Sequence, residues 1–128
     1  MLKSISVNLS QSDILSLATS PIPFGLPVMS GLMHVPVMCV LNYKFGTVAY
    51  TDVHLYVKNY GNYAITNQVN GLLNQTQDYS IVSYGDSLVA LPDSDWVQTD
   101  LYLSALSNPT AGDGTVKATL FYSDVTVP

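Results

Sequence analysis

Arginine and glutamate are missing from this chain altogether. Its nine acids are all aspartate, its four bases are all lysine, and charged residues make up only 10% of it. An average soluble domain carries about 25%. Glu and Arg are good helix formers, so their absence removes the usual material of exposed helices. Ser, Thr, Asn, Gln and Tyr supply the polarity instead. Thr and Tyr suit a pleated, half-buried surface, whereas Ser, Asn and Asp bond back to their own backbone and favour turns. With so few cations and a net charge of −5, the chain lacks the clustered Lys or Arg that displaces counterions from phosphates, which argues against a nucleic-acid partner.

Cysteine is nearly absent too. Cys39 is alone, so no intrachain disulfide can form and a disulfide-stapled fold is excluded. It sits in the apolar run "VPVMCVL", where a lone Cys behaves as a small buried hydrophobe. That run, residues 35–41, is far short of the ~20 apolar residues of a membrane helix. The start "MLKSISVNLS" lacks the apolar stretch of a signal peptide. The expectation is synthesis in a cytoplasm, without conventional secretion and without a membrane partner.

What is present is alternation. Ile5, Val7 and Leu9 alternate with Ser4, Ser6 and Asn8, the pattern of a half-buried strand. "SQSDILSLA" offers Ser or Asp as a cap for one or two helical turns, and the prolines of "SPIPFGLP" force an extended or turning path. Residues 31–45 read as one long strand. Met33, Val35, Val37, Cys39 and Leu41 share one parity, while Leu32, Met38 and Val40 make the other apolar as well. Burial on both faces follows, by a sheet on one side and a neighbouring chain or segment on the other. Pro36 cannot donate to a ladder, so the strand is broken, bulged or at an edge there.

"KFGTVAYTD" reads as a Gly-centred loop before the strand "VHLYVKNY", and "NYGNY" as a turn. "TNQVNGLLNQTQD" favours a short helix capped by Thr66 or Asn67, with a hairpin turn at Asn70-Gly71 as the alternative. "YSIVSYG" and "SLVAL" are short strands, and "PDSDW" is a loop. Thr99–Leu106 and Thr115–Tyr122 are alternating strands joined by residues 107–114. There Gly112 and Gly114 can take positive φ, and Asp113 can bond its own backbone. Seven to eight short antiparallel strands, one or two helical turns and no internal repeat predict an all-β fold. The class expected is a β-sandwich of jelly-roll type, a single domain over residues 1–128.

No catalytic, cofactor or metal residues emerge. Asp93, Asp95 and Asp113 lie in turn contexts without the ligand order of a calcium loop. His34, His54 and Cys39 show no local metal spacing, and no G-x-S-x-G elbow supports a Ser-His-Asp triad. No acid pair suits a glycosidase, and "GDG" lacks the Lys-Ser/Thr of a phosphate loop. An enzyme is not expected. The nine tyrosines are more informative: Tyr56, Tyr60 and Tyr63 flank a turn, and Tyr79 and Tyr84 bracket a strand. Such rings either cap a sandwich or serve an interface, with carbohydrate stacking a third option.

The stretch "VPVMCVLNYKFGTVAYTDVHLYVKNYG" resembles a motif of small structural proteins of tailed-bacteriophage virions: an apolar strand, a "KFGT.AYT" turn, then a strand ending in an aromatic-glycine pair. "SQSDILSLATSPI" is similar to their short helix and proline entry, and "NPTAGDGTVKATLFYSDV" to their last hairpin. The resemblance implies a jelly-roll-like subunit, often a trimer, that decorates a capsid or forms part of a head fibre or tail. It implies a virion location after synthesis in the host bacterial cytoplasm, with itself and capsid or tail subunits as partners. It brings no catalytic residues. The alternative is a receptor- or glycan-binding module at a virion tip, reading a polysaccharide through Tyr, Asn and Asp side chains.

Overall fold

The computed structural model describes residues 2–59, 63–85 and 100–127. Strands β1 (Lys3–Leu9), β3 (Leu32–Lys44), β5 (Tyr79–Tyr84) and β7 (Thr115–Thr126) form one antiparallel sheet in the order β1-β7-β3-β5. Strands β2 (Ile22–Pro23), β4 (Leu55–Lys58) and β6 (Tyr102–Ala105) form a second, ordered β2-β6-β4. The pairs are nested. First strand pairs with last, β2 with β6 and β3 with β5, while β4 bridges the segment that follows it, at Lys58↔Ala64 and Leu55↔Val69. Cross-pairs β3–β7 and β4–β6 close the two sheets. A long hairpin rolled up on itself gives this order, and it is a jelly roll. The all-β expectation is met, with one five-residue helix among the described residues, α1 (Gln11–Leu15).

The core lies between the sheets. Cys39, Leu41, Val116, Ala118 and Leu120 from the larger sheet join Leu55, Val57, Leu103 and Ala105 from the smaller in one buried cluster. Each fully buried Leu of this kind contributes about 2 kcal/mol. Cys39 has no exposed surface, and burial pushes its thiol up to about 12. A thiolate is the reactive form, so a disulfide exchange reagent such as dithiobis-nitrobenzoate should label Cys39 only in denaturant; labelling at the same rate under native conditions would contradict the packing.

Local sequence explains several elements. Ser10 caps α1: its hydroxyl accepts from the Asp13 N–H (3.3 Å) while the Asp13 carboxylate accepts from the Ser10 N–H (2.9 Å). This is a capping box with Asp in the distal position. β7 alternates over its first eight residues, with Val116, Ala118, Leu120 and Tyr122 inward.

Three expectations need correction. The first is the face assignment of β3. The register shifts between Pro36 and Met38, a bulge where Pro36 has no N–H to give. His34 and Pro36 point inward before it and Cys39, Leu41 and Tyr43 after it, so Met33, Val35 and Val37 do not share the inner face and Val37 is 44% exposed. The second is the helix over residues 66–73. Thr66 bridges Gly85, the Asn67 N–H donates to the Tyr84 carbonyl (2.7 Å), and the Val69 N–H donates to the Leu55 carbonyl (2.9 Å). Pairing with two other strands overrides a weak local helix preference. Residues 71–74 then turn, with Gly71 at φ +77°, but residues 64–69 pair backward with β4 instead of across that turn. The third is the last hairpin: β6 and β7 belong to different sheets, so residues 107–114 cross the sandwich instead of joining paired strands. "SLVAL", "PDSDW" and Tyr60 lie outside the described residues.

Candidate interaction surface

Of the residues weighed above, Asp113 has the most specific surroundings. One carboxylate oxygen accepts from the N–H groups of Thr47 (2.8 Å) and Val48 (2.9 Å), and the other accepts from the Thr47 hydroxyl. Its own N–H donates back to the Val48 carbonyl (3.1 Å). The Thr47 hydroxyl foremost, then the two backbone donors, holds the Asp113 carboxyl below the ordinary carboxylate range. "KFGTVAYT" and "NPTAGDGT" are thus two halves of one clasp. Thr51 N–H donates to the Thr110 carbonyl (3.0 Å), Thr110 N–H to the Thr51 hydroxyl (2.8 Å), and Tyr50 Oη to the Gly114 carbonyl (2.6 Å). A Cβ on Gly46 would stand 2.5 Å from an Asp113 carboxylate oxygen, and one on Gly114 2.6 Å from the Lys44 carbonyl. Positive φ falls on Ala111 and Gly112, not on Asp113 or Gly114. Asp113 therefore acts chiefly as an acceptor for another loop, with its own backbone a minor partner.

The two histidines differ sharply. His54 is exposed, with Nδ1 3.4 Å from Gln68 Oε1. His34 is 2% exposed, its Nδ1 2.6 Å from Asp124 Oδ1 and its Nε2 2.6 Å from the Pro27 carbonyl. Lys3 Nζ reaches the other Asp124 oxygen at 2.6 Å. This network ties the start of β1, the end of β7 and residue 27 to the first residues of β3. Local spacing gave no hint of it, because Lys3, His34 and Asp124 meet only through strand pairing. Among the described residues no three of His, Cys, Asp and Glu come together as a metal site.

The outward face of the larger sheet carries the remaining candidates. Register places Ser4, Phe121, Met38 and Tyr84 side by side across its four strands, with Ser6, Thr119, Val40 and Val82 in the next rank. Phe121, Met38, Val40 and Val82 are half-buried and Tyr84 is 60% exposed. Among the described residues these side chains keep part of their surface exposed. The double apolarity of β3 is real, and among the described residues its second face is half-exposed. A further rank consists of Asn8, Lys117, Asn42 and Ser80, so one face has an apolar half and a polar half. Tyr63 and Tyr79 are exposed, whereas Tyr56 is half-buried on β4.

No protein-family model matches the chain, and no curated protein sequence matches it. Solved structures do. A chain of the cyanophage Pam1 capsid asymmetric unit superposes with a TM-score of 0.57 at 16% identity, covering 100% of this chain and 84% of that one. A chain of the sacbrood virus of honeybee, in expansion state I, superposes at 0.45 and 9% identity, over 100% of this chain and 86% of that one. The first likeness establishes the fold, a jelly roll of the kind found in viral capsids, in agreement with the nested strand pairing.

Proposed function

We propose that this protein is a structural subunit of a bacteriophage virion, a single jelly-roll domain whose work is self-association and docking on capsid or tail proteins. A decoration or head-fibre role is the one that the motif resemblance suggests. The observation that carries the reading is the half-exposed apolar patch of Phe121, Met38, Val40, Val82 and Tyr84 on the outward face of the larger sheet. Aromatic and Met side chains are enriched in interfaces and charged ones depleted, and this patch has that make-up. A second copy of the same chain is its occupant in a closed assembly, and the motif resemblance makes that assembly a trimer. The resemblance in motifs to phage structural proteins and the capsid-type fold both favour this reading. The role is mechanical, without catalysis or cofactor, and the place of action is the virion after synthesis in the host bacterial cytoplasm.

Size-exclusion chromatography with light scattering tests the proposal. The expected result is a stable homo-oligomer at micromolar concentration. A clean monomer there would count against it.

A further inference from the structure

A groove crosses the polar end of the larger sheet. It has a volume of about 820 Å³ and runs across all four strands of the larger sheet, where β1 ends and β5 and β7 begin. Asn8, Lys117, Asn42 and Ser80 stand in register along it, with the Asn42 amide donating to the Ser80 hydroxyl (2.8 Å). Lys44 lies one rank further on, opposite Thr115, and the exposed Tyr79 forms part of the rim. We infer that this groove binds an acidic polysaccharide, a chain of pyranose rings bearing carboxylates.

Charge is the first argument. The chain has four lysines and a net charge of −5, yet two of those lysines, Lys44 and Lys117, face one groove. Among the described residues neither closes an ion pair. Asp78 is the lone acid in the lining, and one of its oxygens is already engaged by the Phe45 N–H (3.0 Å). The groove is therefore a local cationic site on an acidic protein, suited to a carboxylate ligand.

The second argument is the kind of donor available. The groove lies on a sheet face, where backbone N–H and C=O groups are already spent in the ladders, so recognition falls to side chains. Two amides, a serine hydroxyl and two ammonium groups match ring hydroxyls and carboxylates. The groove is open along its length, whereas an enclosed pocket would suit a small hydrophobic ligand. Its span over three inter-strand gaps of about 4.8 Å suits an extended chain more than a compact molecule. Two lysines are too few for nucleic acid.

The test is an NMR titration of the whole protein with hyaluronan and alginate hexasaccharides, with neutral chitohexaose as control. Shift changes should map to Asn8, Asn42, Ser80 and Tyr79 with at least one acidic probe and be much weaker with chitohexaose. The Lys44→Met/Lys117→Met pair should lower that affinity by about tenfold while leaving the spectrum otherwise native. Both side chains are exposed, so folding is not at risk. Silence with both acidic probes, shifts mapping elsewhere, or affinity unchanged in the double variant would each overturn the inference. The oligomeric state is read separately, so failure here leaves the assembly proposal standing.

Discussion

Replacing Gly112 by alanine should lower the folding stability by about 3 kcal/mol or more, two terms acting together. Gly112 sits at φ +83°, where a side chain strains the backbone by about 1 kcal/mol. Its new Cβ would also lie 2.3 Å from Tyr50 Cγ and 2.4 Å from Tyr50 Cδ1. Tyr50 cannot simply retreat. It is buried, its hydroxyl holds the Gly114 carbonyl, and its ring meets Tyr43 edge-on with centroids 6.5 Å apart. Burial pushes the Tyr50 phenol up to about 12, so the donor stays protonated across the working range. Gly25 supplies the control. It has nearly the same φ, +81°, but a Cβ there meets nothing within 4 Å. Gly25→Ala should therefore cost only the strain, about 1 kcal/mol. Urea unfolding of both variants decides: equal midpoints would mean that the clasp does not grip Tyr50.

His34→Ala is expected to cost about 3 kcal/mol, from a cavity and an orphaned partner. The ring is buried and packs edge-on against Tyr122, centroids 5.7 Å apart. The Pro27 carbonyl can only accept, so Nε2 must donate to it, and the Asp124 carboxylate is the acceptor at Nδ1. Removing the ring strands the Pro27 carbonyl and one oxygen of Asp124. A loss below 1 kcal/mol would show that the network is incidental.

The same network gives an acid dependence. Asp124 is held below its ordinary value, first by the Lys3 hydrogen bond and then by His34. A carboxyl depressed in the folded state stabilises above its unfolded value and loses that contribution as pH falls through the folded one. Stability of the native protein should therefore drop below about pH 4, and Asp124→Asn should drop less steeply over that range. Asp113, depressed in the same direction, keeps the remaining slope.

The strands with strict alternation, β1 and β7, were legible residue by residue, and the helix cap was legible as a Ser or Asp, because each depends on near neighbours. Pro36 announced the bulge but not its consequence. One inserted residue flips every side chain before it, so the inner face passes from His34 and Pro36 to Cys39 and Leu41. Residues 66–69 were misread because their backbone is satisfied by Tyr84 and Leu55, far away in sequence. The clasp had the same obstacle. "KFGT" and "GDG" each looked like an ordinary turn, and only the fold brings Asp113 to Thr47, sixty-six residues away. The apolar second parity of β3 was legible as well, and the residues that carry it lie half-exposed on the outward face.

Sedimentation velocity on the native protein, Val40→Lys and Asn42→Lys tests the central claim most directly. Val40 lies in the apolar half of the outward face and Asn42 one rank away in the polar half. A lysine can stand upright at either position without unfolding the sheet. The account predicts an oligomer for the native protein and for Asn42→Lys, and a folded monomer for Val40→Lys. A monomeric native protein, or a Val40→Lys variant that still assembles, would contradict it.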